Sequence, residues 1–197
     1  MTARRRRSVR SAGIGLLALF AAHLVVWPAW ADDIAGKVKV CATCHGENGL
    51  PTEPDIPIIW GQQFYYLYVQ LKDFKAGRRA NDIMQGMVAD LSKADMQALA
   101  QYFSEKKWPT TEFRASAAAI KRGQEIAVAG QCTQCHLGNY EGNSRVPRTA
   151  DQQVGYLVRT MLALKNGIRL NAAAMASLME GMSDNDIKAM AEYLAGM

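Results

Sequence analysis

Apolar residues along the chain recur at three- and four-residue intervals and nowhere alternate with polar ones, which predicts helices and no sheet. Over 62–76 the pattern puts Tyr65, Tyr66, Val69 and Phe74 near one helix face, and Gly77 follows as a C-cap. Ser92-Lys93-Ala94-Asp95 and Ser183-Asp184-Asn185-Asp186 each read as a capping box with Asp in place of Glu. They open final helices that bury Met96, Leu99 and Phe103 in one case, and Ile187, Met190 and Leu194 in the other. One further apolar run, 12–30, follows Arg4, Arg5, Arg6, Arg7 and Arg10 and ends at Ala29-Trp30-Ala31 before Asp32. A basic start, an apolar stretch and a small-x-small end are the three parts of a secretory signal, so 1–31 is read as an export signal. A retained membrane anchor is the competing reading, but the run barely reaches the ~20 residues a span needs. His23 and Pro28 also interrupt it. The arginine run resembles a twin-arginine signal, although Ser8-Val9-Arg10 fits that motif poorly.

The same segment disposes of the charge argument. The chain of 197 residues has a formal charge of +5, which by itself suggests a nucleic-acid partner. The five arginines of the signal account for that whole excess: the remaining 166 residues hold 18 basic and 18 acidic groups. No nucleic-acid binding is expected. The balance is uneven between halves, −2 over 32–112 and +2 over 113–197, which would let two ends of one molecule steer different partners.

Those two halves are copies. A shift of 91 residues superimposes Cys41 on Cys132, His45 on His136, Met84 on Met175, Asp95 on Asp186 and Tyr102 on Tyr193. In the middle the shift is 90, pairing Pro57 with Pro147, Gln62-Gln63 with Gln152-Gln153, Tyr66-Leu67 with Tyr156-Leu157, and Lys75, Gly77, Arg79 and Asn81 with Lys165, Gly167, Arg169 and Asn171. The expected organisation is a first domain over 32–105, a linker over 106–112 and a second domain over 113–197. A domain of about 80 residues is marginal on its own core, and a large apolar prosthetic group inside it would add buried surface.

The cysteines say what that group is. They fall as Cys41-Ala42-Thr43-Cys44-His45 and Cys132-Thr133-Gln134-Cys135-His136, and apart from His23 the chain has no histidine outside these motifs. Cys-x-x-Cys-His is the attachment signature of c-type haem. Two thiols on one turn of helix can form thioethers to the two vinyl groups of the haem edge, while the next residue turns its imidazole under the iron. Disulfides would not explain the histidines, and a shared zinc site wants pairs about 15 to 20 residues apart, whereas Cys44 and Cys132 are far more distant in sequence. Two covalently bound haems c, with their iron, are therefore expected, with His45 and His136 as proximal ligands.

The repeat also selects the sixth ligand. Met87, Met96, Met161, Met179, Met182 and Met190 face leucine, isoleucine or valine in the other half and read as core filler. Only Met84 and Met175 face methionine in both copies, and His/Met ligation is the combination that raises haem potential in cytochromes c. Arg79 and Arg169 are either propionate contacts or solvated arginines.

On the two Cys-x-x-Cys-His motifs, Pro57 through Gln62, Tyr66, Leu71 through Gly77, Arg79, Met84 and the Leu91-Ser92 helix start, with their partners, the sequence resembles the class I cytochromes c, specifically the two-domain dihaem cytochrome c-four group. The resemblance implies an all-α fold of two tandem class I domains, each wrapped around one haem. It implies that Pro57 and Pro147 offer their carbonyls to the outer nitrogens of the two histidines. It also implies a periplasmic electron carrier and no enzyme, working between a quinol-oxidising complex or dehydrogenase and a terminal oxidase, with membrane contact only through partners or an uncleaved signal. A dihaem subunit of a sulfide-oxidising flavocytochrome is the alternative, and a dihaem peroxidase would need an open iron. Asp151 replaces the counterpart of Gly61, and Arg148-Thr149 that of Ile58-Ile59, which alters the surroundings of the second haem edge. Extracted with acid and solvent, the mature protein should exceed its apo mass by two haems; an intact mass showing one or none contradicts the doubled motif.

Overall fold

A computed structural model describes residues 30–197, so the export signal over 1–31 lies almost wholly outside the described residues. Among them the chain forms nine helices and no strand. The first half holds α1 (Trp30–His45), α2 (Phe64–Lys75), α3 (Asp82–Val88) and α4 (Lys93–Ser104). The second holds α5 (Ala117–Ala129), α6 (Thr133–His136), α7 (Val154–Lys165), α8 (Ala173–Glu180) and α9 (Asp184–Ala195). The repeat appears as α2, α3 and α4 matching α7, α8 and α9. The haem-motif helix differs: α1 runs unbroken through Cys41 and His45, whereas its counterpart is split into α5 and α6 around Gly130 and Gln131, the latter at φ 51°.

Each half closes its own core. Leu67, Phe74, Val88, Met96, Leu99 and Phe103 form the first; Ile126, Leu157, Met161, Met179, Ile187, Met190 and Leu194 are among the second. The final helices bury the residues their pattern predicts. On α2 the buried face is rotated from the expected one: Leu67, Gln70, Asp73 and Phe74 are inside and Tyr65 is 54% exposed, because polar residues of this helix are claimed by the other domain. The Ser92 box is complete, with Ser92 Oγ accepting from Asp95 N and Asp95 Oδ2 accepting from Ser92 N. At Ser183 only the first bond forms, since Asp186 Oδ1 turns to Arg122 Nε at 2.7 Å and ties α9 to α5.

Local backbone repeats even where residue types do not. Gly46, Gly49 and Gly61 have φ of 87°, 86° and 66°, and their counterparts Leu137, Tyr140 and Asp151 take 66°, 54° and 55°. A Cβ on Gly49 would run into the Trp60 ring. In the second half the sizes are exchanged: Tyr140 stands for Gly49 and Ala150 for Trp60, and both are buried. This equivalence places the one-residue difference between the copies at Leu50, immediately before Pro51.

Asp151 explains its own departure from glycine. A Cβ at Gly61 would come within 2.9 Å of Lys106 O and Trp108 N, so the first half must keep glycine there. Asp151 instead fixes the segment between the halves: its Oδ1 accepts from Thr111 N and Oγ1, and its carbonyl accepts from Trp108 Nε1. Arg148 lies over the Trp108 ring, 4.7 Å from its centroid.

Helices α5 and α9 meet where a Cβ on Gly123 would collide with the Tyr193 side chain. Gly123→Ala should therefore force the two helices apart and cost about 1–3 kcal/mol, the usual penalty of overpacking, read as a lower denaturant midpoint.

Candidate haem sites

Each Cys-x-x-Cys-His motif is presented on a helix whose last residue is the histidine. His45 and His136 are 8% and 7% exposed. Their Nδ1 atoms lie 2.8 Å from Pro57 O and 2.9 Å from Pro147 O. A carbonyl can only accept, so both Nδ1 atoms carry the proton and both Nε2 atoms keep a free lone pair. Burial pushes each imidazole's pKa down, against the opposing pull of the proline carbonyl, and so favours the neutral, ligating form. No disulfide joins the four cysteines. Cys41 and Cys132 are half-buried against the first and second cores; Cys44 and Cys135 are exposed. Among the described residues no group of three or more His, Cys, Asp or Glu converges on one point. The donor set thus fits a haem edge on two thiols and an iron on one neutral imidazole, twice.

Met84 and Met175 are partly buried, each packed against the same core as the first cysteine of its half. Met84 lies on α3, whose N-cap Asn81 accepts from Met84 N at 2.9 Å; Met175 lies on α8, whose N-cap Ala172 offers no side chain. Of the six methionines read as filler, Met96, Met161, Met179 and Met190 are buried and Met182 packs on the second core, while Met87 is 42% exposed on α3.

The loops that carry Pro57 and Pro147 are held by the opposite domain through near-symmetric bonds. Gln152 accepts from Ile58 N (2.8 Å) and donates to Ile58 O (3.0 Å); Gln62 does the same to Arg148 N (2.8 Å) and O (2.9 Å). Gln153 donates to Pro51 O and Gln63 to Glu141 O, while Tyr156 N donates to Pro54 O and Tyr66 N to Ser144 O. Further along, Arg79 and Arg169 bridge backbone to backbone across the interface. Arg79 donates to Tyr156 Oη at 3.1 Å and Arg169 to Tyr66 Oη at 3.4 Å. The solvated reading of these arginines is therefore wrong: Arg169 is 8% exposed, and both meet phenols of the other domain. Burial and the neighbouring Tyr156 push Tyr66 up, while at Tyr156 the effect of burial is outweighed by Arg79 and Arg169, which bring it down. In the sequence these glutamines and tyrosines stand out only as repeat markers, and their role across the interface becomes visible in the fold. The signal was there: a polar Gln-Gln pair and a tyrosine kept in both copies at the head of a helix.

The fold and these two sites define a dihaem class I cytochrome c. A family model described as cytochrome C oxidase, cbb3-type, subunit III matches residues 118–194. Cytochrome c4 of Azotobacter vinelandii is 31% identical over 183 residues, covering 82% of this chain and 86% of that one. A "Thiosulfate dehydrogenase electron acceptor" of Stutzerimonas stutzeri is 34% identical over 172 residues, covering 80% and 78%. The crystal structure of reduced recombinant cytochrome c4 from Pseudomonas stutzeri matches with a TM-score of 0.77 at 31% identity, over 85% of this chain and 98% of that one. The chain belongs to the cytochrome c4 family. It carries two covalently bound haems c with their iron, and it is an electron carrier, not an enzyme.

Gln152→Ala would leave the buried Ile58 N–H and C=O without partners. The expected loss is about 1–3 kcal/mol in a denaturant titration, the desolvation cost of unpaired buried groups. Gln62→Ala should cost a similar amount, and a loss for only one of the pair would contradict the reciprocal arrangement.

Proposed function

We propose that the protein is a periplasmic relay that takes single electrons from a quinol-oxidising complex or a dehydrogenase and delivers them to a terminal oxidase or another acceptor. The family supplies electron transfer as the activity; the observation that supports a closed-shell relay is the twofold recurrence of one neutral histidine and one partly buried methionine on each core. In this reading Cys41, Cys44, Cys132 and Cys135 form the thioethers, His45 and His136 bind iron on one side, and Met84 and Met175 on the other. Pro57 and Pro147 orient the imidazoles. Bound haem supplies the one-electron couple. In this reading His45 with Met84, and His136 with Met175, would hold the two irons, so that neither would be open to a substrate. The domain boundaries proposed are 32–105 and 113–197, with 106–112 between them.

Export with the signal over 1–31 is part of the same reading. No helix among the described residues is long and apolar enough to cross a membrane. A dehydrogenase as donor has specific support, since one relative is named as the electron acceptor of thiosulfate dehydrogenase. The same relatives lend some weight to the alternative, a dihaem subunit of an oxidoreductase such as a sulfide-oxidising flavocytochrome, but no more than they lend to the carrier.

Two measurements test the proposal. Reduced protein mixed with membranes that contain a terminal oxidase should be reoxidised in an oxygen- and cyanide-sensitive way; indifference to the oxidase would overturn that end of the relay. Met84→His and Met175→His should each remove one sulfur-to-iron charge-transfer band and lower one of two redox transitions, because axial ligands tune haem potential over about 0.8 V. If Met87→His or Met179→His did this instead, the ligand assignment would fall.

A further inference from the structure

The interface between the domains is near-symmetric, and one of its departures from symmetry lies beside the methionine helices. Asn81 and Asn171 are counterparts, and each precedes the helix that carries its half's methionine. Asn81 stays within its own domain, its Oδ1 capping α3 at Met84 N. Asn171 crosses to the other domain: its Nδ2 donates to Asp73 Oδ2 at 2.7 Å and to Gln70 Oε1 at 3.0 Å, both on α2. Its Oδ1 is taken by Arg169 Nε at 2.9 Å, so no atom of Asn171 caps α8. Gln70 and Asp73 are buried, and Gln70 Oε1 also accepts from Arg79 and Arg169 at 2.9 and 3.1 Å. Asp73 Oδ1 is held by Arg78 at 2.7 Å, so the carboxylate is fixed from both oxygens. The reverse connection cannot form, because Thr160 and Ala163 occupy the positions equivalent to Gln70 and Asp73.

We infer that Asp73, with Gln70, is a positioning residue for the second haem site although it belongs to the first domain: it fixes the start of α8, and through it Met175, from across the interface. The inference rests on Met84 and Met175 being the sulfur ligands. In the first domain the segment before the methionine is held locally by Asn81. In the second, that local bond is absent, and a charge-assisted hydrogen bond to a buried carboxylate stands in its place. Through this bond Met175 depends on the two domains being docked, and Met84 has no equivalent of it.

The test uses the holoprotein in two backgrounds. Met84→His leaves only the Met175 sulfur–iron band, and Met175→His leaves only the Met84 band. Imidazole is added to the oxidised protein, and the concentration that abolishes half of the remaining band is recorded. Asp73→Ala and Asn171→Ala should each lower that concentration about tenfold in the Met84→His background, the size expected from one lost charge-assisted bond. Neither should move it in the Met175→His background. Asn171→Ala leaves the Asp73–Arg78 pair in place and guards against a general loss of folding in the first domain, while Asp73→Asn keeps an acceptor and should restore most of the resistance. Equal loss in both backgrounds, loss confined to the Met84 band, or no change in either overturns the inference. If the His variants do not each abolish one band, the ligand reading itself fails, and that result is visible before imidazole is added.

Discussion

The structure depends on a short chain of hydrogen bonds in which each domain completes the haem site of the other. A histidine that is to bind iron through Nε2 must present that lone pair, which requires its Nδ1 proton to be engaged elsewhere. Pro57 O and Pro147 O engage it. A carbonyl on an irregular loop can do this only if the loop is fixed, and the next residue in each case is clamped at both its N–H and its C=O by a glutamine of the other domain. Gln62 and Gln152 are 3% and 2% exposed, and their Oε1 atoms also accept from Gln63 N and Gln153 N, so the buried amides have their principal groups paired. An incompletely paired amide here would cost more than it stabilised. Docking and haem ligation are thus one arrangement, reached by two routes.

Around that arrangement the charge distribution is unusual. Arg79 and Arg169 approach each other through their backbones, and the groups that receive their guanidinium protons are mostly neutral: Gln70, Asn171 and the phenols of Tyr66 and Tyr156. The one buried carboxylate nearby, Asp73, is spent on Arg78 and Asn171. Two cations brought together among neutral dipoles repel. The consequence appears in the tyrosines, where the cationic surroundings bring the pKa of Tyr156 down against the effect of its burial.

Much of this was legible in the sequence. The helices followed from period and caps, the haems from two motifs that absorb the cysteines, and the family from the ordered series of matched residues. What escaped has a physical cause in each case. The rotated face of α2 is not legible in the period, because Gln70 and Asp73 are polar and their burial is made possible by donors from Arg79, Arg169 and Asn171. The second capping box lost its return bond because Arg122, remote in sequence, offers Asp186 a charged partner. Arg148 and Asp151 looked like damage to a family pattern and are instead the side chains that secure the segment between the domains. A linear pattern reports what a residue offers; which offer is taken up is decided by contacts across the fold.

The exchange of Gly49 and Trp60 for Tyr140 and Ala150 shows how two copies of one domain can diverge without losing the site they share. The backbone stays left-handed at 49 and 140 because the turn after the haem motif must bring the proline carbonyl back to the histidine. Glycine meets that demand freely, while tyrosine does so at a cost of order 1–2 kcal/mol. The cost is offset because a buried aromatic ring then fills the space that Trp60 fills from the opposite side in the first domain, and Tyr140 gains an edge-to-face contact with Tyr193 at 6.0 Å. Volume is conserved and the carbonyl does not move away. The same logic applies to Asn81 and Asn171: the polar group is kept in both copies, but in one it caps its own helix and in the other it binds the neighbouring domain. Once duplication has placed two domains side by side, a bond made locally in one copy can be made across the interface in the other.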